Sequence, residues 1–289
     1  MNDTLTVGSR TAGLNFRMYM RKTAGGKIKT GAASKSGLAV TLTLAALLCL
    51  TAAGFLTFDY KDIVFSDAIQ ATLKNIGTVF FSPRLKYNTF SGMLYQLLIT
   101  FCLGVLATIF GAIIAFFGSL LCARNLANPR VSVVIRSIVA IIRAIPTVLW
   151  VLIFAISAGL GSVAAVVGLT FHSAGYLIKA YSDSFEEMDS GTIEALKASG
   201  ANFWQIVFQA IVPSSISYLL AWTFMRFEIN FINAIAMGAA AGAGGIGYEL
   251  FMAGNFYFDM REMGIITYVV VITVIILETL ATKIKEKAK

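Results

Sequence analysis

Six long apolar runs, each bounded by charged or turn-forming residues, dominate the pattern of hydrophobic and polar positions along this chain. A helix rises about 1.5 Å per residue, so roughly 20 apolar residues cross a bilayer core about 30 Å thick. The runs at 37–58, 93–123, 131–157, 162–180, 206–225 and 264–280 therefore predict an all-α membrane protein of about six transmembrane helices. The pattern divides the chain into a basic tail (1–36), a first span (37–58), a mixed polar loop (59–91), a main membrane domain (92–282) and a short basic tail (283–289). Residues 37–58 carry no charge, and both this stretch and its basic lead are too long for a cleaved signal, so the first span is read as retained. Phe231 to Gly247 is apolar but rich in Gly and Ala, and is read as a broken or re-entrant element. Such backbone is tolerated at membrane depth only where protein or a cavity shields it.

Charge decides the orientation. With six crossings both ends lie on one side, and of the 23 Lys and Arg residues 14 fall on that side, six on the other and three within spans. The positive-inside rule then makes both termini cytoplasmic and the 59–91 loop extracytoplasmic. A seventh crossing at 231–247 would carry the four C-terminal lysines, Lys283, Lys285, Lys287 and Lys289, to the wrong side.

Composition narrows the function. Of 289 residues 57% are apolar and 13% charged, and the mean hydropathy is +0.78. Soluble domains are about half apolar and a quarter charged, so disorder and a water-exposed enzyme are both excluded. The net charge of +8 is read as membrane sidedness and attraction to anionic lipid, not as a nucleic-acid surface. Cys49, Cys102 and Cys122 lie in apolar runs without metal spacing, and there is one histidine. Neither a metal site nor a catalytic triad can be assembled from them, and no catalytic residue is expected. Gly242-x-Gly244-x-x-Gly247 spells a dinucleotide fingerprint, but it follows a membrane helix and not a strand, so it is rejected. The chain also has no phosphate-binding loop for ATP.

The polar stretch 183–213 reads as helix, glycine stop, new helix. Thr192 to Ser199 holds good helix formers, with Glu194 placed in the first turn where the dipole favours an anion. Gly200 occupies a left-handed cap position, and Asn202-Phe203-Trp204-Gln205 offers a capping box into the fifth span. Within this stretch Glu194-Ala195-Leu196, then Gly200 after three intervening residues, then Pro213 in Ala210-Ile211-Val212-Pro213, resemble the EAA loop of importer-type ABC transporter permeases. Leu196 and Ala210 depart from that pattern. Arg143-Ala144-Ile145-Pro146, His172-Ser173-Ala174-Gly175-Tyr176 and Gly242-Ala243-Gly244-Gly245-Ile246-Gly247 further resemble the phosphonate-importer permeases, and the resemblance covers roughly residues 90 to 282.

The resemblance implies a type I importer permease fold and a phosphorus oxyanion as cargo. It implies as partners a second copy of the chain, two cytoplasmic ATPase subunits that hold ATP and Mg, and an extracytoplasmic binding protein. It assigns coupling to Glu194, Ala195, Ala198, Gly200 and Pro213.

The residues themselves add an anion path. Arg143 and His172 fall near the middle of their spans, and ionisable groups there usually face a cavity or a partner. Arg143, His172 and Glu228 are the candidate pathway residues, and Gly242, Gly244, Gly245 and Gly247 a candidate gate or hinge. The plainer alternatives are an Arg143–Glu228 pair between helices, a hydrogen-bonded core histidine and ordinary glycine packing. Arg136 is expected to snorkel to the cytoplasmic face, and Arg226 to lie with Glu228 near the outer end of span five. Other cargoes (phosphate, phosphite, methionine), a secondary transporter and a structural membrane anchor remain rival readings.

Overall fold

The computed structural model describes residues 21–22, 28–29, 35–58 and 63–287. Most of the expected first basic tail lies outside the described residues, whereas 283–287 of the expected second tail continue the last helix. Of the first tail, two short strands, β1 (Arg21–Lys22) and β2 (Ile28–Lys29), pair antiparallel, Arg21 opposite Lys29. Contact patterns separate 1–65 from 66–289. The first unit carries α1 (Lys35–Thr57), whose side chains are almost all exposed, as a lipid-facing helix requires.

The second unit holds ten helices among the described residues: α2 (Phe65–Phe81), α3 (Phe90–Cys122), α4 (Pro129–Ala144), α5 (Thr147–Ala158), α6 (Ser162–Glu186), α7 (Ser190–Ala198), α8 (Phe203–Ile206), α9 (Val212–Ala241), α10 (Gly245–Asn255) and α11 (Met260–Lys287). Five described helical stretches are long and apolar enough to span a membrane, and the count is six if the bent pair α4–α5 crosses as one broken span. The all-α expectation of about six transmembrane helices therefore holds.

Helix α3 is the axis of the fold. At 33 residues it is about 50 Å long, so it must tilt. Thr89 caps it by accepting from the Gly92 amide at 3.1 Å. Small residues at Gly104, Ala107, Gly111 and Ala115 let neighbouring helices approach closely. A β-carbon on Gly111 would lie 2.9 Å from the Ser173 β-carbon on α6, and one on Gly104 would lie 3.2 Å from the Phe231 backbone on α9. Around this axis α3, α6 and α9 enclose one apolar cluster of Leu103, Ala107, Leu169, Ala234 and Met237. A second, built on Leu120, Tyr181, Phe185, Ile193, Ile211 and Leu219, ties the α7 end together.

Three elements differ from the sequence reading. The third span is not straight: α4 and α5 meet at 91°. Pro146 disfavours a helical Ile145 (ψ 123°) and has no N–H to donate, so α4 ends at Ala144. The Trp150 indole braces the corner by donating to the Ile142 carbonyl at 3.0 Å. The fifth span does not stop near Met225. Helix α9 runs to Ala241, so 231–241 belongs to the span and only the Gly242-Ala243-Gly244 turn and α10 form the broken element. Finally, the 59–91 loop contains α2, whose apolar positions Phe65, Ile69, Leu73, Ile76 and Phe80 recur every three or four residues. Asp67 and Lys74 broke that run into an apparent loop.

At the end opposite α7, a buried carboxylate organises the chain entry to α3. Glu262 is fully buried at the start of α11 and accepts from the amides of Tyr87 (2.9 Å) and Asn88 (2.7 Å). Asn88 also donates to Glu249 of α10 at 3.0 Å. Glu262→Ala orphans two backbone donors, and each such loss costs about 1–3 kcal/mol. The purified chain in detergent is expected to melt at a lower temperature, with Glu262→Gln keeping part of the difference.

Candidate functional site

Helix α7 forms much as its residues dictate, with one change. Its start is Ser190, capped by Asp189, which accepts from the Thr192 amide at 3.2 Å, so Glu194 falls in the second turn and not the first. Its end is a Schellman arrangement: the Ala201 amide reaches the Leu196 carbonyl and the Gly200 amide the Lys197 carbonyl, both at 3.0 Å. Gly200 takes φ +87°, open to glycine without strain. Asn202 and Gln205 then cap each other reciprocally, at 2.9 and 2.8 Å, and launch α8.

Ile193 is buried and Leu196 half-buried in the α7-end cluster, so two apolar teeth fasten the helix to the bundle. Glu194, Ala195, Ala198 and Gly200 are all exposed. Pro213, also exposed, follows a π-helical turn, Val207–Ile211, closed by the Val212 amide on the Val207 carbonyl. The wider turn accommodates a proline that can neither donate nor fit against the carbonyl four residues back. Close by, Arg136 has protein partners at the ends of α3 and α6. It is bound to Glu186, and its Nε donates to the Cys122 carbonyl at 3.2 Å, closing the α3–α4 corner onto α6.

The middle of the bundle holds a second polar assembly. Arg143 lies in the last turn of α4, exposed, its guanidinium 4.7 Å from the centre of the Tyr176 ring. Gly175 permits that approach, since a β-carbon there would lie 2.8 Å from Ile142 and 3.4 Å from Arg143. Arg226, placed near the outer end of its span by the sequence reading, sits midway along α9 and is only 4% exposed. Its guanidinium lies 5.2 Å from the same ring. Burial pins it to a run of hydrogen bonds. Arg226 Nε donates to Ser173 Oγ (3.0 Å), Ser173 Oγ contacts Asn230 Oδ1 (2.9 Å), and Asn230 Nδ2 donates to Thr108 Oγ1 (2.9 Å). Thr108 ends the run on the Gly104 carbonyl at 2.7 Å.

His172 is on the next turn of α6, its ring 6.2 Å from Tyr176, with Nδ1 buried and unpartnered. The structure thus brings Arg143 and His172 together around Tyr176. Glu228 does not join them: the ion pairs among the described residues are Arg84–Asp259, Arg136–Glu186 and Lys179–Asp183. An Arg143–Glu228 pair is absent from the described residues. Sequence reasoning missed Arg226, Tyr176, Ser173 and Asn230 as one unit. The spacings 172/176 and 226/230 put each pair on one helix face, a signal that ending the span at Met225 hid.

The glycine run serves two purposes. Gly242, Gly244 and Gly245 have φ of +60°, +79° and +73° and turn the chain back on itself. Gly247 lies where a β-carbon would stand 1.8 Å from the Ile235 carbonyl oxygen, so α10 packs backbone to backbone against α9. Thr100 of α3 accepts from the Ile246 amide at 2.9 Å, fixing the α10 start.

A polytopic helical bundle with an end-mounted, exposed helix and a charged centre is the frame of a membrane transport component. The chain belongs to the family of binding-protein-dependent transport system inner membrane components, whose model matches residues 114–284. It is 31% identical over 190 residues to the "Phosphate-import permease protein PhnE" of Mycolicibacterium smegmatis, covering 65% of this chain and 35% of that protein. It is 29% identical over 185 residues to the "Phosphite transport system permease protein PtxC" of Stutzerimonas stutzeri, covering 64% and 65%. The chain thus matches between about a third and two thirds of the length of these relatives. Its fold is that of the MetNI methionine ABC transporter in an inward facing conformation, with TM-score 0.61, 23% identity, and coverage of 68% of this chain and 96% of that one.

Proposed function

We propose that this chain is the membrane-spanning subunit of an ATP-driven importer, and that its cargo is a phosphorus oxyanion: a phosphonate, phosphate or phosphite. The observation that carries the transport reading is α7. Two apolar residues, Ile193 and Leu196, anchor it, while Glu194, Ala195 and Ala198 stand outward and Gly200 ends it without a side chain. A short exposed helix of this kind suits a groove on a partner, where a bare glycine lets two backbones meet closely. In this reading two ATPase subunits bind ATP and Mg, dock on the α7 helices of two copies of this chain, and draw them together when ATP binds. An extracytoplasmic binding protein delivers the cargo, and both termini of the chain are cytoplasmic. Coupling of this type requires two states that nucleotide and cargo each bias. The cargo assignment draws on the names of the relatives and on the excess of positive charge around Tyr176.

The test is uptake of labelled methylphosphonate by cells expressing the chain with its ATPase and binding protein, competed with phosphate, phosphite and methionine. Uptake that collapses when cellular ATP is depleted at constant membrane potential, and that the phosphorus oxyanions suppress, is the expected result. Uptake driven by an ion gradient instead would replace this reading with a secondary transporter.

A further inference from the structure

We infer that Arg226, Arg143, Tyr176 and His172 form an oxyanion-binding station inside the membrane bundle, for a small tetrahedral anion that brings no positive charge of its own. The inference rests on the importer reading above and adds the place and selectivity of the contact. Arg226 is 96% buried, its Nε is committed to Ser173, and its Nη2 is buried without any partner. A guanidinium normally presents a fork that a tetrahedral oxyanion or carboxylate fills. Here one prong is orphaned in the protein interior, an arrangement costly enough to need a counter-group.

Among the described residues no carboxylate pairs with Arg226. Arg143 adds a second guanidinium to the same tyrosine face system, 4.7 Å from the ring centre against 5.2 Å for Arg226. Neither arginine is among the ion pairs of the described residues. The acidic residue nearest in sequence, Glu228, is two positions along α9 and so faces away from Arg226. His172 Nδ1 is a further buried nitrogen without a partner. Two cations and an imidazole thus converge with no anion, and a bound oxyanion is what completes them.

The division of labour follows from burial. Arg226 is fixed by the Ser173–Asn230–Thr108 run, which fits it to hold the anion. Arg143 and Tyr176 are exposed, so Arg143 is the cation that an entering anion meets first. Selectivity follows from what is missing. The ammonium of an amino acid would find no carboxylate here, and the Tyr176 ring, its other natural host, already receives two guanidiniums. Inorganic phosphate and methylphosphonate therefore fit this station and L-methionine does not.

The experiment measures uptake of labelled inorganic phosphate, methylphosphonate and L-methionine by cells carrying the complete transporter, comparing wild type with Arg143→Gln and Arg226→Lys. Membrane level and co-purification of the ATPase are followed alongside. Wild type is expected to take up both phosphorus anions. Each variant should lose roughly tenfold to a hundredfold of that uptake, the loss of one charge-assisted fork, while the protein still inserts and assembles. Unchanged uptake in both variants overturns the station and leaves the importer reading intact. Loss of assembly by Arg143→Gln, whose side chain is exposed, assigns that residue to packing and also overturns it. Wild-type uptake of L-methionine alone removes the phosphorus cargo itself, and the station with it.

Discussion

Gly200→Asp is expected to abolish uptake while the protein still inserts into the membrane at its normal level. The residue holds φ +87°, and a β-carbon there would meet nothing within 4 Å. The substitution therefore clashes with nothing in this chain, and its intrinsic cost is the left-handed backbone, about 1–2 kcal/mol and least for Asn and Asp. Against the roughly 5–15 kcal/mol that separates folded from unfolded, that leaves the fold standing. What changes is the exposed end of α7, which gains a charged side chain at the point where a docking partner's backbone would approach. Gly200→Asn separates the two effects, since Asn takes the same backbone at small cost and carries no charge. It is expected to reduce uptake as well, because bulk alone prevents close docking. Uptake, membrane level and recovery of the ATPase on the purified chain are the three readouts. Normal uptake by Gly200→Asp would remove α7 as the coupling element.

Gly247→Ala is expected to be the most damaging alanine substitution among the described glycines. The added methyl would stand 1.8 Å from the Ile235 carbonyl oxygen and 2.6 Å from its carbon. Both are backbone atoms, so no rotamer change relieves the overlap, and α10 must be pushed off α9. Displacement is resisted on the other side by the Ile246–Thr100 hydrogen bond. Overpacking in cores typically costs about 1–3 kcal/mol and more where backbone must move, so roughly 3 kcal/mol or above is expected here. Gly242→Ala is the contrasting case: φ is +60° with nothing within 4 Å, so only about 1–2 kcal/mol of backbone strain arises. Thermal unfolding in detergent and accumulation in membranes report the order, with Gly247→Ala well below Gly242→Ala. Equal melting temperatures would mean that α10 does not rest on α9 in this way.

The contrast between what was and was not legible in the residues has a physical source. The six spans, the α7 helix, the Gly200 stop and the Asn202–Gln205 box all rest on local rules, such as apolar run length, capping chemistry and glycine conformation. Those rules act within a few residues and need no partner. The run 131–157 reads as one span despite Pro146, because the 91° turn depends on how α5 finds α6, where Gly168 would place a β-carbon 2.6 Å from the Val151 backbone. The polar centre was the hardest to see. Arg226, Glu228 and Asn230 interrupt hydropathy and so mimic the end of a span, yet Arg226 and Asn230 are buried inside it, held by Ser173 and Thr108 from two other helices. Long-range satisfaction of this sort leaves only a faint trace in the chain, an i, i+4 pairing of polar residues on each contributing helix.

The hydrogen-bond run from Arg226 through Ser173 and Asn230 to Thr108 has a mechanical consequence. It stitches α9, α6 and α3 together in surroundings where water cannot replace a broken link. Sliding any one helix along another would pass through positions in which several of these groups face nothing at all. The three helices therefore behave as a single keel, locked in register and able to rotate only as a block. With α10 also seated on α9 and tied to Thr100 of α3, any relative movement within the bundle falls to the parts outside that block, the α4–α5 elbow among them.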